Sequence, residues 1–223
     1  MTVTAQHRGL VVVVGATGTL LVLLLAAQAW DGWANLVAHP ARAAFVTLLV
    51  VVTLVALASP VNLSSGERED VASRRLFAPS AVGLLALAWV MPFMDRQDRW
   101  TLDGDAVRWL GVAAFVVGSV LRIWPMFVLG TRFSGLVAIQ PGHELVTDGP
   151  YRHVRHPSYL GMMIGFAGWA LVFRSAVGLV AVALALPLLV QRIDAEEALL
   201  AARFGDVYTA YRRRTWRLLP WVY

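Results

Sequence analysis

From Gly9 to Ala29 the chain runs for 21 residues without a charge. A helix crossing the hydrocarbon core of a bilayer, about 30 Å thick, needs roughly 20 apolar residues. In lipid a single segment satisfies its own backbone hydrogen bonds only as a helix. The stretch is therefore read as a membrane helix, and five more segments follow. They are Ala41–Pro60 with Arg42 at its edge, Ala78–Met94, Ala106–Gly130 with Arg108 near its start and Arg122 inside, Tyr159–Phe173, and Ser175–Gln191. The last two are short and joined only by Arg174, which predicts a tight helical hairpin, tilted or partly re-entrant. The fold class is an all-α integral membrane protein, a bundle of about five to six transmembrane helices.

Composition supports this. Hydrophobic residues are 58% of the 223 and charged residues 15%, against roughly 45–50% and about 25% in a soluble domain. A soluble fold would lack the polar surface to cover itself. With no cysteine there is neither a disulfide framework nor a thiolate metal site, and no metal or nucleic acid is expected as a partner. The net charge of +5 comes with 19 arginines and no lysine; in so apolar a chain, anionic lipid headgroups explain it better than nucleic acid does. The lysine-free, Ala/Val/Arg-rich composition points to a high-GC bacterium and its inner membrane.

Ala27-Gln28-Ala29 resembles a signal cleavage site, but the apolar run before it exceeds the 7–15 residues typical of a signal core and further spans follow. The first helix is read as uncleaved. Gly15-Ala16-Thr17-Gly18 resembles the start of a dinucleotide-binding turn. It is rejected because Leu21 replaces the third glycine and Leu20–Leu25 is apolar on every side. Arginine placement sets the orientation. With six spans and both ends inside, thirteen arginines fall on the cytoplasmic side and five (Arg42, Arg96, Arg99, Arg108, Arg174) outside.

The chain divides into residues 1–130, N-terminal transmembrane helices, and residues 131–223, which hold a polar loop, the hairpin and a basic cytoplasmic tail. Gln140–Gly161 reads QPGHELVTDGPYRHVRHPSYLG. Pro141-Gly142 and Asp148-Gly149-Pro150 mark turns, Leu145-Val146-Thr147 is a short extended piece, and Pro157 suits the first turn of the next helix. Gly161, Gly165 and Gly168 allow another element to approach that helix closely. Arg192 and Glu196 are four apart and share a helix face, which fits either a plain solvated face or one pocket. Arg122 lies within a span, where a charge is costly and faces a cavity or a partner. It is read as bordering a lateral opening for substrate, with structural pairing to a nearby acid as the alternative.

Two groups of residues together carry a resemblance. One is His143-Glu144-Leu145-Val146-Thr147, Gly149-Pro150-Tyr151 and Arg155-His156-Pro157-Ser158-Tyr159-Leu160-Gly161. The other is Glu196-Glu197, Phe204-Gly205, Tyr208 and Tyr211, running into basic residues. In order and spacing they resemble the isoprenylcysteine carboxyl methyltransferase family, over about residues 131–220. The resemblance implies a methyltransferase-like catalytic region that binds S-adenosyl-L-methionine on the cytoplasmic side. By the family pattern Gln140, His143, Glu144, Leu145, Val146, Tyr151, His156, Pro157, Ser158 and Tyr159 line the cofactor pocket, with Glu196 and Glu197. Glu196 meets the cofactor's amino-acid end, and Arg192 holds the substrate with Arg122 nearby, so that Arg192 and Glu196 carry the catalysis. Gln140 and His143 stand closer together here than in eukaryotic members.

The chemistry of these residue types agrees. Methyl transfer is an in-line displacement that needs alignment more than acid–base work. A carboxylate suits an ammonium, a helix N-terminus suits a carboxylate, tyrosine rings suit a sulfonium, and arginine clamps an anionic substrate bidentately. The acceptor stays open: a prenylated cysteine carboxylate, a small thiol, an isoprenoid-like acid or a lipid headgroup, entering from the bilayer. Two other functions compete with this reading. A nicotinamide-dependent reductase on a related scaffold would use Arg152 or Arg155 for a 2′-phosphate, and Glu196-Glu197 argues against it. A non-catalytic carrier leaves the dense polar loop without a purpose.

Overall fold

A computed structural model describes residues 2–59, 68–69, 77–130, 138–139 and 145–222. Every expected apolar segment is a helix: α1 (Thr2–Ala29), α3 (Pro40–Ala58), α4 (Phe77–Arg96), α5 (Asp105–Leu129), α6 (Pro157–Val172) and α7 (Ala176–Phe204). Two short helices were not expected, α2 (Trp33–Val37) and α8 (Asp206–Arg213). Gly15–Gly18 lies inside α1, so the glycines open no phosphate-binding turn. Among the described residues α1, α3, α5 and α7 are long and apolar enough to cross a membrane, and α6 is a shorter apolar helix of 16 residues. The only paired strands described are two residues each, Arg68–Glu69 (β1) antiparallel to Ala138–Ile139 (β2).

α7 differs most from its expected bounds. Its apolar part ends near Gln191, but the helix continues for 29 residues to Phe204, roughly 43 Å at 1.5 Å per residue. The added turns are rich in Ala, Glu, Leu and Arg, all strong helix formers. The hairpin is as tight as expected: α6 and α7 are joined by Phe173, Arg174 and Ser175, and Ser175 caps α7 by accepting from the Gly178 N–H at 3.0 Å.

The closest helix pair is α5 with α6. A Cβ on Gly118 would stand 2.6 Å from the Gly161 carbonyl oxygen and overlap Gly165 N, and a Cβ on Gly168 would stand 2.5 Å from Phe115 N. The glycine face foreseen on α6 therefore meets Gly111 and Gly118 of α5, seven residues apart. In lipid such backbone approach replaces hydrophobic burial as the source of helix association. Overpacking costs about 1–3 kcal/mol, so Gly118→Ala should destabilise by that much in detergent unfolding. Gly83→Ala on α4, where a new Cβ meets nothing within 4 Å, should be neutral or mildly stabilising.

A buried charge cluster closes one end of the bundle. Asp95, with its side chain fully buried, receives two hydrogen bonds from Arg108 at 2.7 and 2.9 Å and one from Arg174 at 2.9 Å, with Arg42 3.9 Å away. Arg108 also donates to the Val172 carbonyl at 2.8 Å, which joins the ends of α5 and α6. Arg42 donates to the Leu36 and Asn35 carbonyls at the C-terminal end of α2 and lies over the Trp30 ring. An aromatic group, Phe45 with Phe115, Trp169 and Phe173, forms much of the adjacent core.

Candidate functional site

The polar residues singled out in the second half gather at the other end of α5. Arg122 is 14 residues from Arg108, roughly 21 Å along the helix. Its guanidinium donates to the Ser158 hydroxyl in the first turn of α6, and its surroundings include Tyr159, Arg192, Tyr151 and Glu196. It thus turns toward the polar cluster. One partner of Arg122 is thus a hydroxyl, and a buried hydroxyl accepts at lower desolvation cost than a second charge.

Local sequence sets this geometry. Gly149 adopts φ +59°, a left-handed conformation that glycine tolerates without strain, and begins a 3₁₀ turn, Gly149–Arg152. Leu145–Thr147 runs into it without regular secondary structure. His156 precedes Pro157, which opens α6 as expected, so the missing proline N–H costs nothing. The free N–H groups of the first turn and the buried Ser158 hydroxyl lie at the same end of α6.

α7 brings its polar turns to this place. Arg192 Nε donates to the Tyr159 hydroxyl at 2.8 Å, with the guanidinium 5.7 Å from the ring centroid. Tyr159 stacks on His156 at 5.7 Å, with Glu196 nearby. Glu196, its side chain 35% exposed, approaches His156 Nδ1 at 3.9 Å. Tyr151 is held from the other side, where the Tyr211 hydroxyl donates to its carbonyl at 2.7 Å. Burial, and then the field of Glu196, push the Tyr151 phenol above its usual range, and burial pushes Tyr211 up to about 12. Both stay protonated as hydrogen-bond donors.

Glu197 has a different environment. It follows Leu189 and Ile193 on the buried stripe of α7. Its Oε1 receives Arg155 Nε at 2.8 Å and meets His156 Nε2 at 3.3 Å. Its Oε2 lies 3.6 Å from Arg217 and 3.7 Å from Arg212. Arg155 further donates to the Thr215 and Arg212 carbonyls, and backbone bonds run from Trp216 to His153 and from Arg155 to Trp216. One carboxylate thus ties the loop, α7 and the tail together. Arg155, one of the two arginines that a reductase would have turned to a phosphate, is committed to this network, whereas Arg152 stays exposed.

The sequence led to Arg122, Tyr151, His156, Pro157, Ser158, Tyr159, Arg192, Glu196 and Glu197, which the fold brings toward one end of the bundle, and to Leu145 and Val146, which lie half-buried in the irregular stretch before Gly149. Gln140, His143 and Glu144 lie outside the described residues. Sequence reasoning did not find Arg155, Arg212 and Arg217 as partners of Glu197. A usable signal was present, because a carboxylate four residues after Ile193 on an apolar stripe requires compensation.

A family model described as the isoprenylcysteine carboxyl methyltransferase (ICMT) family matches residues 109–202. Protein-S-isoprenylcysteine O-methyltransferase B of Arabidopsis thaliana is 31% identical over 139 residues, covering 61% of this chain and 68% of that protein. Protein-S-isoprenylcysteine O-methyltransferase of Dictyostelium discoideum is 30% identical over 144 residues, 61% of each chain. The matched part spans 61% of that relative and 46% of the Schizosaccharomyces pombe protein of the same name, which is 38% identical over 109 residues. In fold, the chain resembles a solved eukaryotic intramembrane Ras methyltransferase, ICMT, with a TM-score of 0.55 and 22% identity, over 98% of this chain and 75% of that one.

Proposed function

The chain belongs to the isoprenylcysteine carboxyl methyltransferase family and is an integral multi-pass membrane protein; from that membership we propose that it transfers a methyl group from S-adenosylmethionine to a lipophilic carboxylate or thiol. The observation that carries the reading is the convergence of Glu196, Tyr151, Tyr159, Arg122 and Arg192 beside the N-terminus of α6. The residues fit the cofactor: a part-exposed carboxylate, Glu196, for its ammonium, the α6 N-terminus for its carboxylate, and tyrosine rings for its cationic centre. When bound, S-adenosylmethionine supplies an electrophilic methyl on a sulfonium.

The protein's own part is alignment. Arg192, held by Tyr159, meets the acceptor's anionic group and keeps the nucleophile in line. Arg122, turned toward the same polar cluster, adds a second cation to the substrate side of the site. On the family resemblance, Leu145, Val146, Pro157 and His156 wall the cofactor pocket together with Gln140, His143 and Glu144. Glu197 acts one step back by fixing His156. A carboxylate or thiolate acceptor is already ionised, so the site needs no strong base. The site is assigned to the cytoplasmic face of a bacterial inner membrane, in keeping with its arginine-rich end.

Glu196→Ala tests the cofactor half. A charge-assisted hydrogen bond contributes about 1.5–3 kcal/mol, so S-adenosylhomocysteine should bind the reconstituted variant roughly ten- to hundredfold more weakly. Unchanged affinity would leave Glu196 on a solvated helix face.

A further inference from the structure

The two ends of the bundle treat their arginines differently. At one end Arg42, Arg108 and Arg174 share Asp95, and Arg174 also holds Asp98. At the other, Arg152, Arg212, Arg213 and Arg214 are exposed, and among the described residues Arg152, Arg213 and Arg214 have no ion pair. Arg152 and Arg214 both line an open cavity of about 330 Å³, together with Thr147, Asp148 and Tyr211. Its size and its two guanidinium groups suit a phosphodiester, the chemistry that arginine forks recognise. A single opposing carboxylate, Asp148, leaves the cavity net positive.

Apolar groups stand exposed beside this charge. After α8 the tail leaves Trp221 85% and Val222 76% exposed, with Trp216 and Leu219 partly so. The tail cannot lie far from the bilayer. Trp216 pairs with Val154, His156 N–H donates to the Arg217 carbonyl at 3.2 Å, and the apolar helix α6 begins one residue later at Pro157. Basic residues next to exposed tryptophan at the end of a membrane helix have the composition of a segment that lies in the headgroup layer.

We propose that residues 212–222, together with Arg152, form a docking surface for anionic lipid headgroups: Arg152 and Arg214 take one headgroup phosphate in the cavity they line, and Trp221 and Val222 enter the interface beside it. This goes beyond the methyl-transfer reading and does not depend on it. The occupant is a lipid, because the cavity's phosphate-sized charge and the exposed aromatic tail occupy one surface, and a free phosphate explains only the first.

The absence of native cysteine makes the test direct. The full chain carrying Val222→Cys, labelled with a polarity-sensitive dye, is placed in nanodiscs of phosphatidylcholine alone or enriched in phosphatidylglycerol, both with brominated acyl chains. Quenching should be at least about twofold greater in the anionic discs, and the difference should vanish at high salt, where surface charge is screened. Arg152→Gln with Arg214→Gln should abolish the difference while leaving the neutral-disc signal unchanged, which also shows that the variant is folded. Inorganic phosphate at matched ionic strength should leave the difference in place. Equal quenching in both discs, an undiminished difference in the double variant, or its loss to inorganic phosphate would each overturn the proposal.

Discussion

Asp95→Ala is expected to destabilise the protein by about 3–5 kcal/mol, the cost of removing one partner from a buried ion cluster. The side chain of Asp95 is fully buried and shared by three guanidinium groups. Arg42 and Arg108 are themselves less than a tenth exposed, so neither can turn to water once the carboxylate is gone. The cluster also joins α2 and α3, through Arg42, to α4, to α5 and to the α6–α7 turn, so its loss should loosen the whole end. Replacing both members of the strongest pair, Asp95→Leu with Arg108→Met, should recover part of the loss, because an apolar pair leaves fewer stranded charges. Chemical denaturation in detergent measures both. A change under 1 kcal/mol for Asp95→Ala would show that the cluster is not holding that end together.

Arg192→Ala should leave S-adenosylhomocysteine affinity close to wild type and lower methyl transfer roughly a hundredfold, the scale of losing alignment of a reacting group. Arg192→Lys should restore little, since a point charge lacks the planar fork that holds a carboxylate bidentately. The hydrogen bond to Tyr159 adds a control. Tyr159→Phe keeps the ring and removes the partner of Arg192 Nε, so it should cost much less than Arg192→Ala. Equal losses would mean that Arg192 works by holding Tyr159 in place and not by holding substrate. The measurement is single-turnover methyl transfer to a farnesylated cysteine probe, with affinity determined separately.

The membrane helices were legible because lipid forces each apolar run to become a helix, and the uncharged stretches fix their centres to within a few residues. The continuation of α7 through Phe204 was not, because polarity changes at Gln191 while helix propensity does not. The glycine face of α6 could be read from Gly161 and Gly168, but its partner could not: Gly111 and Gly118 sit on a helix whose hydropathy gives no sign of a close contact. In the site, Arg192 and Glu196 were visible as one helical face. The network around Glu197 was hidden, because Arg155 lies 42 residues away and Arg217 was read only as part of a basic tail. Periodicity reports neighbours within a helix, whereas these contacts depend on how the loop and the tail return to α7.

The end of α5, α6 and α7 is proposed to hold S-adenosylmethionine. The most direct measurement is calorimetric titration of the reconstituted chain with S-adenosylhomocysteine and, in parallel, with NADPH. Saturable one-to-one binding of S-adenosylhomocysteine, weakened in Glu196→Ala, with no heat from NADPH, is the predicted result. Binding of NADPH in its place, or of neither ligand, would contradict it.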